Sequence, residues 1–154
     1  MKMNKIMVML LILGMLTCGL TAVFAQEGTL NDGTKIPVPE GYEVKEFDNG
    51  QFFLVSQDQN EVITISNDNQ FNDPEAGKEN QIKNGATFES EKTININGVD
   101  VIEQRFNKDG YTVLGYMFSV GDKNYIIVAT TQNANWNAED TSNPVNIILT
   151  SILK

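Results

Sequence analysis

Histidine is absent from all 154 residues of this chain, and its single cysteine is Cys18, close to the N-terminus. Without imidazole, the chain has no histidine for a catalytic triad or a general base, and no ordinary ligand set for zinc, copper or haem. With one thiol it forms no internal disulfide, so its stability depends on packing. These absences exclude most hydrolase mechanisms and favour a protein that is not an enzyme and has no cofactor.

Positive charge is also scarce. Arg105 is the only arginine, and 20 acidic residues against 11 basic residues give a formal net charge of −9 at pH 7. Nucleic acid phosphates and anionic lipid headgroups bind clustered cations, and a negative field repels them. We therefore expect no nucleic acid partner and, apart from the N-terminal segment, no membrane partner.

The first 25 residues have the layout of a secretory signal peptide. Lysines precede an apolar run from Ile6 to Phe24, and the small residues Val23 and Ala25 stand before a cleavage point after residue 25. Cleavage there predicts a secreted or extracytoplasmic protein. An uncleaved segment would instead anchor the protein at the cell surface, because about 20 apolar residues are enough to span a bilayer.

Beyond residue 25 the composition predicts one domain. Residues 26–35 are polar and contain two glycines, which indicates a flexible lead-in. Residues 36–154 have a size that suits a single hydrophobic core. The domain is expected to begin at IPVPEGY, residues 36–42, because each proline biases the residue before it toward an extended backbone.

Apolar segments separated by turn residues predict an antiparallel sheet. YEVKEF and QFFLVS flank DNG at residues 48–50, and QDQN leads into EVITIS. A later hairpin, YTVLGYMFSV and NYIIVATT, turns at residues 121–123 and is apolar on both faces. Strands of that kind are expected at the centre of a sheet that is covered on both sides.

The pair Asn97-Gly98 marks another hairpin. Asn-Gly is a preferred sequence for a two-residue turn with positive φ at both positions. A turn of this length fixes the register of the flanking strands. It places apolar residues opposite one another on one face, namely Ile96 opposite Val99 and Ile94 opposite Val101.

Two segments predict helices that cover the sheet. In Pro74–Lys83, Asp73 is the expected N-cap and proline takes the first helical position. In SNPVNIILTSILK at the C-terminus, Asn143 and Pro144 have the same roles. The apolar residues of this second segment recur at helical spacing: Val145, Ile148, Leu149 and Ile152.

The order of these segments resembles the PsbP-like superfamily of small α/β/α sandwiches. The shared pattern is the IPVPEGY start, antiparallel strands, a helical segment, an Asn-Gly hairpin, the GYMFSVGDKNYIIVATT hairpin and a short terminal helix, over residues 36–153. The resemblance implies an α+β fold with a central antiparallel sheet flanked by helices. It also implies an accessory or binding role, as in the photosystem II extrinsic subunit, a Ran-binding relative and exported bacterial lipoproteins. No functional residue carries over, because no functional motif matches position by position.

Trp136 is the single tryptophan and lies in a polar stretch, TQNANWNAEDTSN. If exposed, it would suit stacking on a sugar ring together with Tyr111 or Tyr125, or contact with a protein. The alternative is that Trp136 folds back and covers the end of the core beneath its own loop, because large aromatic side chains are usually buried. We favour the buried position.

The stretch SNDNQFNDPE, residues 66–75, concentrates side chains that carry oxygen. It lacks the glycine and the third ligand of an EF-hand loop. A weak calcium site formed by Asp68, Asp73 and Glu75 is one hypothesis. The alternative, which accounts for more of the residues, is a loop that leaves a strand and opens a helix.

The sequence therefore predicts an exported, acidic accessory protein that acts by binding an unidentified protein partner. A carbohydrate-binding module that uses Trp136 and binds a glycan is the alternative. A small hydrolase is the third hypothesis. It would need two carboxylates about 5 to 10 Å apart in a substrate cleft, and nothing in the sequence marks such a pair.

Overall fold

The computed structural model describes residues 27–46, 52–67 and 73–154, and the predicted signal peptide lies outside these ranges. Within them the chain forms nine strands and two helices. In chain order they are β1 (Glu27–Thr29), β2 (Lys35–Pro37), β3 (Tyr42–Glu46), β4 (Phe52–Ser56), β5 (Val62–Ser66), α1 (Pro74–Lys83), β6 (Thr87–Ile96), β7 (Val99–Lys108), β8 (Tyr111–Val120), β9 (Lys123–Thr131) and α2 (Pro144–Ile152). None of the helices in these ranges is long and apolar enough to cross a membrane.

Seven of the strands form one antiparallel sheet in the order β3-β4-β5-β9-β8-β7-β6. The chain builds one side of the sheet from β3 to β5. It then passes through α1 to the far edge at β6 and returns strand by strand to β9 in the centre. The predicted α+β class with a central antiparallel sheet is confirmed.

The hairpin of β6 and β7 has the predicted register, with Ile96 opposite Val99. Asn97 and Gly98 have φ values of 51° and 83°, which are the positive values that a type I′ turn requires. The side chain of Asn95 supports the turn, because its oxygen accepts a hydrogen bond from the Gly98 amide at 3.1 Å. The Asn-Gly pair therefore fixes which side chains of both strands face the core.

One face of the sheet carries the main core. Four fully buried side chains of β8 and β9 line its centre: Leu114, Tyr116, Ile127 and Ala129. α2 packs on this face through Val145, Ile148 and Leu149. Burial of each aliphatic side chain of this size stabilises the fold by roughly 1.5–3 kcal/mol. Asn143 caps α2, accepting from the Val145 amide at 2.8 Å, so the predicted terminal helix and its covering role are confirmed.

Residues 27–35, predicted as a flexible lead-in, form an ordered hairpin instead. β1 pairs with β2, and Leu30 and Ile36 are buried in the main core at 7% and 0% exposure. Asp32 in the turn forms an ion pair with Lys123 at 2.8 Å. The polar composition gives no sign of this hairpin, because the contacts that hold it against the sheet, the burial of Leu30 and the ion pair of Asp32 with Lys123, exist only in the folded chain.

The opposite face of the sheet carries α1 at one edge. As predicted, Asp73 caps this helix by accepting from the Glu75 amide at 3.0 Å. No side chain of α1 is buried, because the helix has too few apolar residues to seat on the sheet. A small cluster of Ala86, Phe106 and Val113 is buried on this face. In the described part of the chain, α1 therefore lies against β6 and does not cover the whole face.

Candidate functional site

Strand β6 forms an exposed edge of the sheet. It is ten residues long, and its first seven residues, 87–93, are all exposed. Within the described ranges, no strand pairs with the outer side of β6. An edge strand presents backbone N–H and C=O groups that are able to pair with another chain. We refer to the outer side of residues 87–96 as the β6 edge and consider it the candidate binding surface.

A β-bulge divides the β6 edge near its start. The pairing passes from Phe88 opposite Phe106 to Ser90 opposite Arg105, so Glu89 is the extra residue. Bulges sharpen the local twist and occur often at sheet edges and beside functional sites. Beyond the bulge, residues 90–96 pair regularly with β7. This regular segment is the part of the edge that is suited to accept a further strand.

Two large apolar side chains are exposed beside the bulge, Phe88 at 36% and Ile82 at 48%. Phe88 packs edge-on against Phe106 with ring centres 5.5 Å apart. The ammonium group of Lys78 lies 5.1 Å from the centre of the Phe88 ring. Ile82 follows Lys78 by one helical turn and lies on the same side of α1. The bulge is therefore bordered by a small apolar patch with one cation.

The surface around this cation is acidic. Lys78 forms an ion pair with Glu75, with 2.7 Å between Nζ and Oε1. The hydrogen bond from Lys78 to Glu75 first, and then the negative charges of Glu75, Glu91 and Glu79, raise the pKa of Lys78. Glu89 adds another exposed acid at the bulge. The four acids outnumber the two lysines of α1, Lys78 and Lys83, so this end of the β6 edge carries net negative charge and attracts cations.

Gln104 of β7 holds α1 against the edge. It is 2% exposed, and its Nε2 donates to the Pro74 carbonyl at 2.9 Å and to Glu91 Oε2 at 2.8 Å. At the other end of the helix, Lys108 donates to the Asn84 carbonyl at 2.7 Å. Because both ends of α1 are fixed, its acidic residues keep a defined position along β6.

On the main-core face, Lys92 of β6 contacts the loop of residues 132–143. Its Nζ lies 3.2 Å from Glu139 Oε2 and 3.8 Å from Glu103 Oε1. Arg105 of β7 holds the same loop by donating to the Trp136 carbonyl at 2.8 Å. We name these four charged residues, Lys92, Glu103, Arg105 and Glu139, the loop clasp. The clasp fixes the loop beside the second face of the β6 edge.

Beneath the clasp lies a buried polar chain. Trp136 Nε1 donates to Tyr116 Oη at 3.1 Å, and Tyr116 stands opposite Glu103 in the sheet. Burial first, and then the negative charge of Glu103, raise the pKa of Tyr116 well above its ordinary range. Glu103 is 4% exposed, and its Oε2 has no hydrogen-bond partner among the described residues. Lys92, 3.8 Å from Oε1, is the ion-pair partner of this buried carboxyl group.

The structure does not assemble the predicted sugar-binding platform. Trp136 and Tyr125 are each 4% exposed. Trp136 lies under its own loop, which is the position we favour from the sequence, and Tyr125 stacks on Phe118 with ring centres 5.2 Å apart. Tyr111, at the start of β8, is half-buried opposite Lys108. With Trp136 and Tyr125 in the core, neither ring presents an open face to a sugar.

The three predicted calcium ligands are not brought together in the described residues. Asp68 lies outside them, Asp73 caps α1, and Glu75 pairs with Lys78. No group of three or more acidic residues suited to a metal occurs in the ranges that the structure covers. Calcium binding stays a prediction, and a calorimetric titration that releases no heat would dispose of it.

Glu103 and Glu139 both contact Lys92 and are the acids to consider for the hydrolase hypothesis. Glycosidase carboxylates flank a substrate in an open cleft. Here a lysine lies between the two acids, and the side chain of Glu103 is only 5% exposed while that of Glu139 is 53% exposed. Both carboxylates are therefore ion-paired with the same ammonium group, which does not match two acids that flank a substrate.

The β6 edge and the loop clasp were not found from sequence patterns. Glu89, Glu91 and Lys92 fall in one run of the sequence, and charged residues of this kind are typical of edge strands. The clasp had no local signal, because Lys92 and Glu139 are 47 positions apart and meet only in the folded chain.

These observations define the class of protein, a small α+β domain with a single large antiparallel sheet and an exposed acidic edge. No family model and no curated protein matches the chain. Among solved structures, a similar fold is the solution structure of cyanobacterial PsbP (CyanoP) from Synechocystis sp. PCC 6803, with a TM-score of 0.53 and 12% identity. The match covers 87% of this chain and 95% of that chain. At this identity the likeness shows the fold alone, and the predicted PsbP-like fold is confirmed.

Proposed function

We propose that this protein is an exported, acidic, non-catalytic binding protein that acts through a protein partner outside the cytoplasm. The observation that carries the proposal is the β6 edge, ten residues long and exposed throughout its first seven residues. An exposed edge of this length is a liability in water unless it is protected or used. A PsbP-like fold supports an accessory role, which is the role that the resemblance implies.

Export is proposed from the N-terminal sequence. Its apolar run and the small residues before the cleavage point have the layout of a signal peptide. β1 begins at Glu27, so cleavage after Ala25 would leave the first hairpin of the domain complete. An uncleaved segment would give the same domain an anchor at the cell surface.

We also propose the full α/β/α layering of PsbP-like proteins for this chain. α2 supports one layer, because it packs on the main core. α1 supports the start of a second layer, because Gln104 and Lys108 hold it on the opposite face of the sheet beside β6.

Affinity capture with the full chain tests the binding role. We expect a protein from native envelope or culture supernatant to be retained, and to retain the chain in the reciprocal experiment. An unrelated domain of the same size and net charge is the control, since it reports purely electrostatic retention. The proposal fails if neither fraction supplies a protein that is retained above this control. Sequencing the N-terminus of the recovered chain tests export, because cleavage predicts Gln26 as its first residue.

A further inference from the structure

We propose that the β6 edge accepts an extended, lysine- or arginine-rich segment of the partner as an additional strand of the sheet. This inference rests on the proposed function and adds the class of the partner segment and its mode of binding. Strand addition derives affinity from main-chain hydrogen bonds and specificity from alternate side chains. Both contributions can be located on β6.

The main-chain contribution follows from the turn at the end of the strand. In an antiparallel pair, residues that exchange both hydrogen bonds alternate with residues that exchange none. The two-residue turn makes Ile96 and Val99 a hydrogen-bonded pair. Counting back along β6, the N–H and C=O groups of Asn95, Thr93 and Glu91 therefore point away from β7. These groups form a ladder that an incoming strand is able to complete.

The side-chain contribution follows from charge. Side chains of an added strand alternate between the two faces of the sheet. On the α1 face they meet Glu91, the negative charge of Glu79 acts on Lys78 over the Phe88 ring, and Glu89 lies at the bulge; all three acids are exposed. Lys78 and Lys92 already form ion pairs with acids of this chain. Lys108 donates to the Asn84 carbonyl, and the exposed Lys83 in the last turn of α1 is outnumbered by these acids. A segment with lysine or arginine at alternate positions is therefore favoured over an acidic segment.

A second copy of this chain is a less suitable occupant of the same edge. Two copies with a net charge of −9 each repel one another, and edge-to-edge pairing would bring the two acidic β6 edges together. The charge on β6 thus discriminates against its own copies and in favour of a basic partner.

Thr93→Pro is the decisive variant, and Thr93→Ala is its matched control. Proline removes the outward N–H of residue 93 and leaves the hydrogen bonds to β7 in place, which is the one setting in which an edge strand tolerates proline. Alanine changes the same side chain and keeps the N–H. The probe is a seven-residue peptide that alternates lysine with threonine, and the reference peptide has glutamate in place of each lysine. Fluorescence anisotropy measures the binding of each labelled peptide to the full chain.

We expect the lysine peptide to bind the wild-type chain and the alanine variant equally, and the proline variant about tenfold more weakly, as the loss of one well-placed hydrogen bond implies. We expect the glutamate peptide to bind at least about tenfold more weakly than the lysine peptide, with the gap closing as salt screens the charges. Equal binding by the proline and alanine variants would overturn strand addition. If the two peptides bind equally, or if the lysine peptide does not bind, the inference that the partner segment is basic is wrong.

Two further measurements keep the inference falsifiable if Thr93→Pro fails to fold. The lysine peptide should slow amide exchange at Glu91, Thr93 and Asn95 of the wild-type chain, and unchanged exchange there contradicts the inference. The double variant Glu79→Lys with Glu89→Lys should bind the lysine peptide about tenfold more weakly, because it reverses two charges and leaves the outward N–H and C=O groups of β6 in place.

If the captured protein binds the proline variant as well as the wild type, strand addition is wrong and the proposed function stands. If no protein is captured, the proposed function fails by its own test.

Discussion

Replacing Trp136 by phenylalanine tests the buried polar chain beneath the loop. The indole Nε1 donates to Tyr116 Oη at 3.1 Å, and both side chains are buried. Phenylalanine keeps most of the ring but leaves the hydroxyl without this donor. Loss of one partner of a buried hydrogen bond costs about 1–3 kcal/mol, and the smaller ring leaves a cavity that costs about 1 kcal/mol more. We expect the free energy of unfolding to fall by about 2–4 kcal/mol, a large share of the ~5–15 kcal/mol that is usual for a domain.

A double-mutant cycle with Tyr116→Phe isolates the hydrogen bond from the cavity. Trp136→Phe removes the indole donor from the Tyr116 hydroxyl, and Tyr116→Phe removes the acceptor of the indole N–H. The double variant removes both partners of this hydrogen bond, so we expect a coupling energy of about 1 kcal/mol. Urea unfolding followed by far-UV circular dichroism is the assay, because Trp136→Phe removes the only tryptophan. Tyr125→Phe is the control partner, since the hydroxyl of Tyr125 contacts Thr34 and not Trp136. If the losses in the free energy of unfolding of Trp136→Phe and Tyr116→Phe add up to that of the double variant within about 0.3 kcal/mol, the two side chains are not coupled and the hydrogen bond does not stabilise the fold as argued.

Three other predictions concern the opening hairpin and the loop. Although burial opposes it, hydrogen bonds from Lys123 and neighbouring groups lower the pKa of Asp32 below its ordinary range. Its stabilisation is therefore fully present above the unfolded pKa of about 4, and it decreases as the pH falls from that value through the lower pKa of the folded state. The difference in urea midpoint between wild type and Asp32→Asn should therefore shrink from pH 7 to pH 3, and a constant difference would contradict this. Gly28→Ala should lower the melting temperature, because a Cβ at Gly28 would lie 2.5 Å from a ring carbon of Phe52; an unchanged value would show that the ring moves freely aside. The emission of Trp136 should be blue-shifted in the folded protein and should move to the red in urea, since this side chain is 4% exposed; emission typical of an exposed indole would contradict the burial.

The parts of the fold that could be predicted from the sequence are those with a local physical cause. Asn97-Gly98 determines its hairpin because few other residue pairs adopt two consecutive positive φ values. Asp73 and Asn143 mark the starts of both helices because each is followed by proline and has a side chain that satisfies an unpaired N–H group. In each case the signal lies within four residues, so no tertiary information is needed.

The parts that could not be predicted depend on contacts between distant residues. Asp32 and Lys123 are 91 positions apart, and this pair, together with Leu30, makes an ordered hairpin of a segment that is polar in composition. Trp136 illustrates the same limit, since its polar neighbours suit a loop and its burial depends on Tyr116 from a distant strand. Composition reports average exposure, whereas the order of a short segment depends on specific tertiary contacts that offset its loss of conformational entropy.

The two edges of the sheet differ in a way that favours β6 as the binding surface. β3, at the opposite edge, has five residues, of which only Glu46 is exposed. An added strand there would gain few hydrogen bonds. β6 has twice the length, and its neighbours are fixed on both faces, by Gln104 on the α1 side and by Lys92 on the loop side. A surface that is already ordered loses little conformational entropy when a partner binds. The ties to α1 and to the loop therefore lower the cost of adding a strand to β6, and no comparable gain is available at β3.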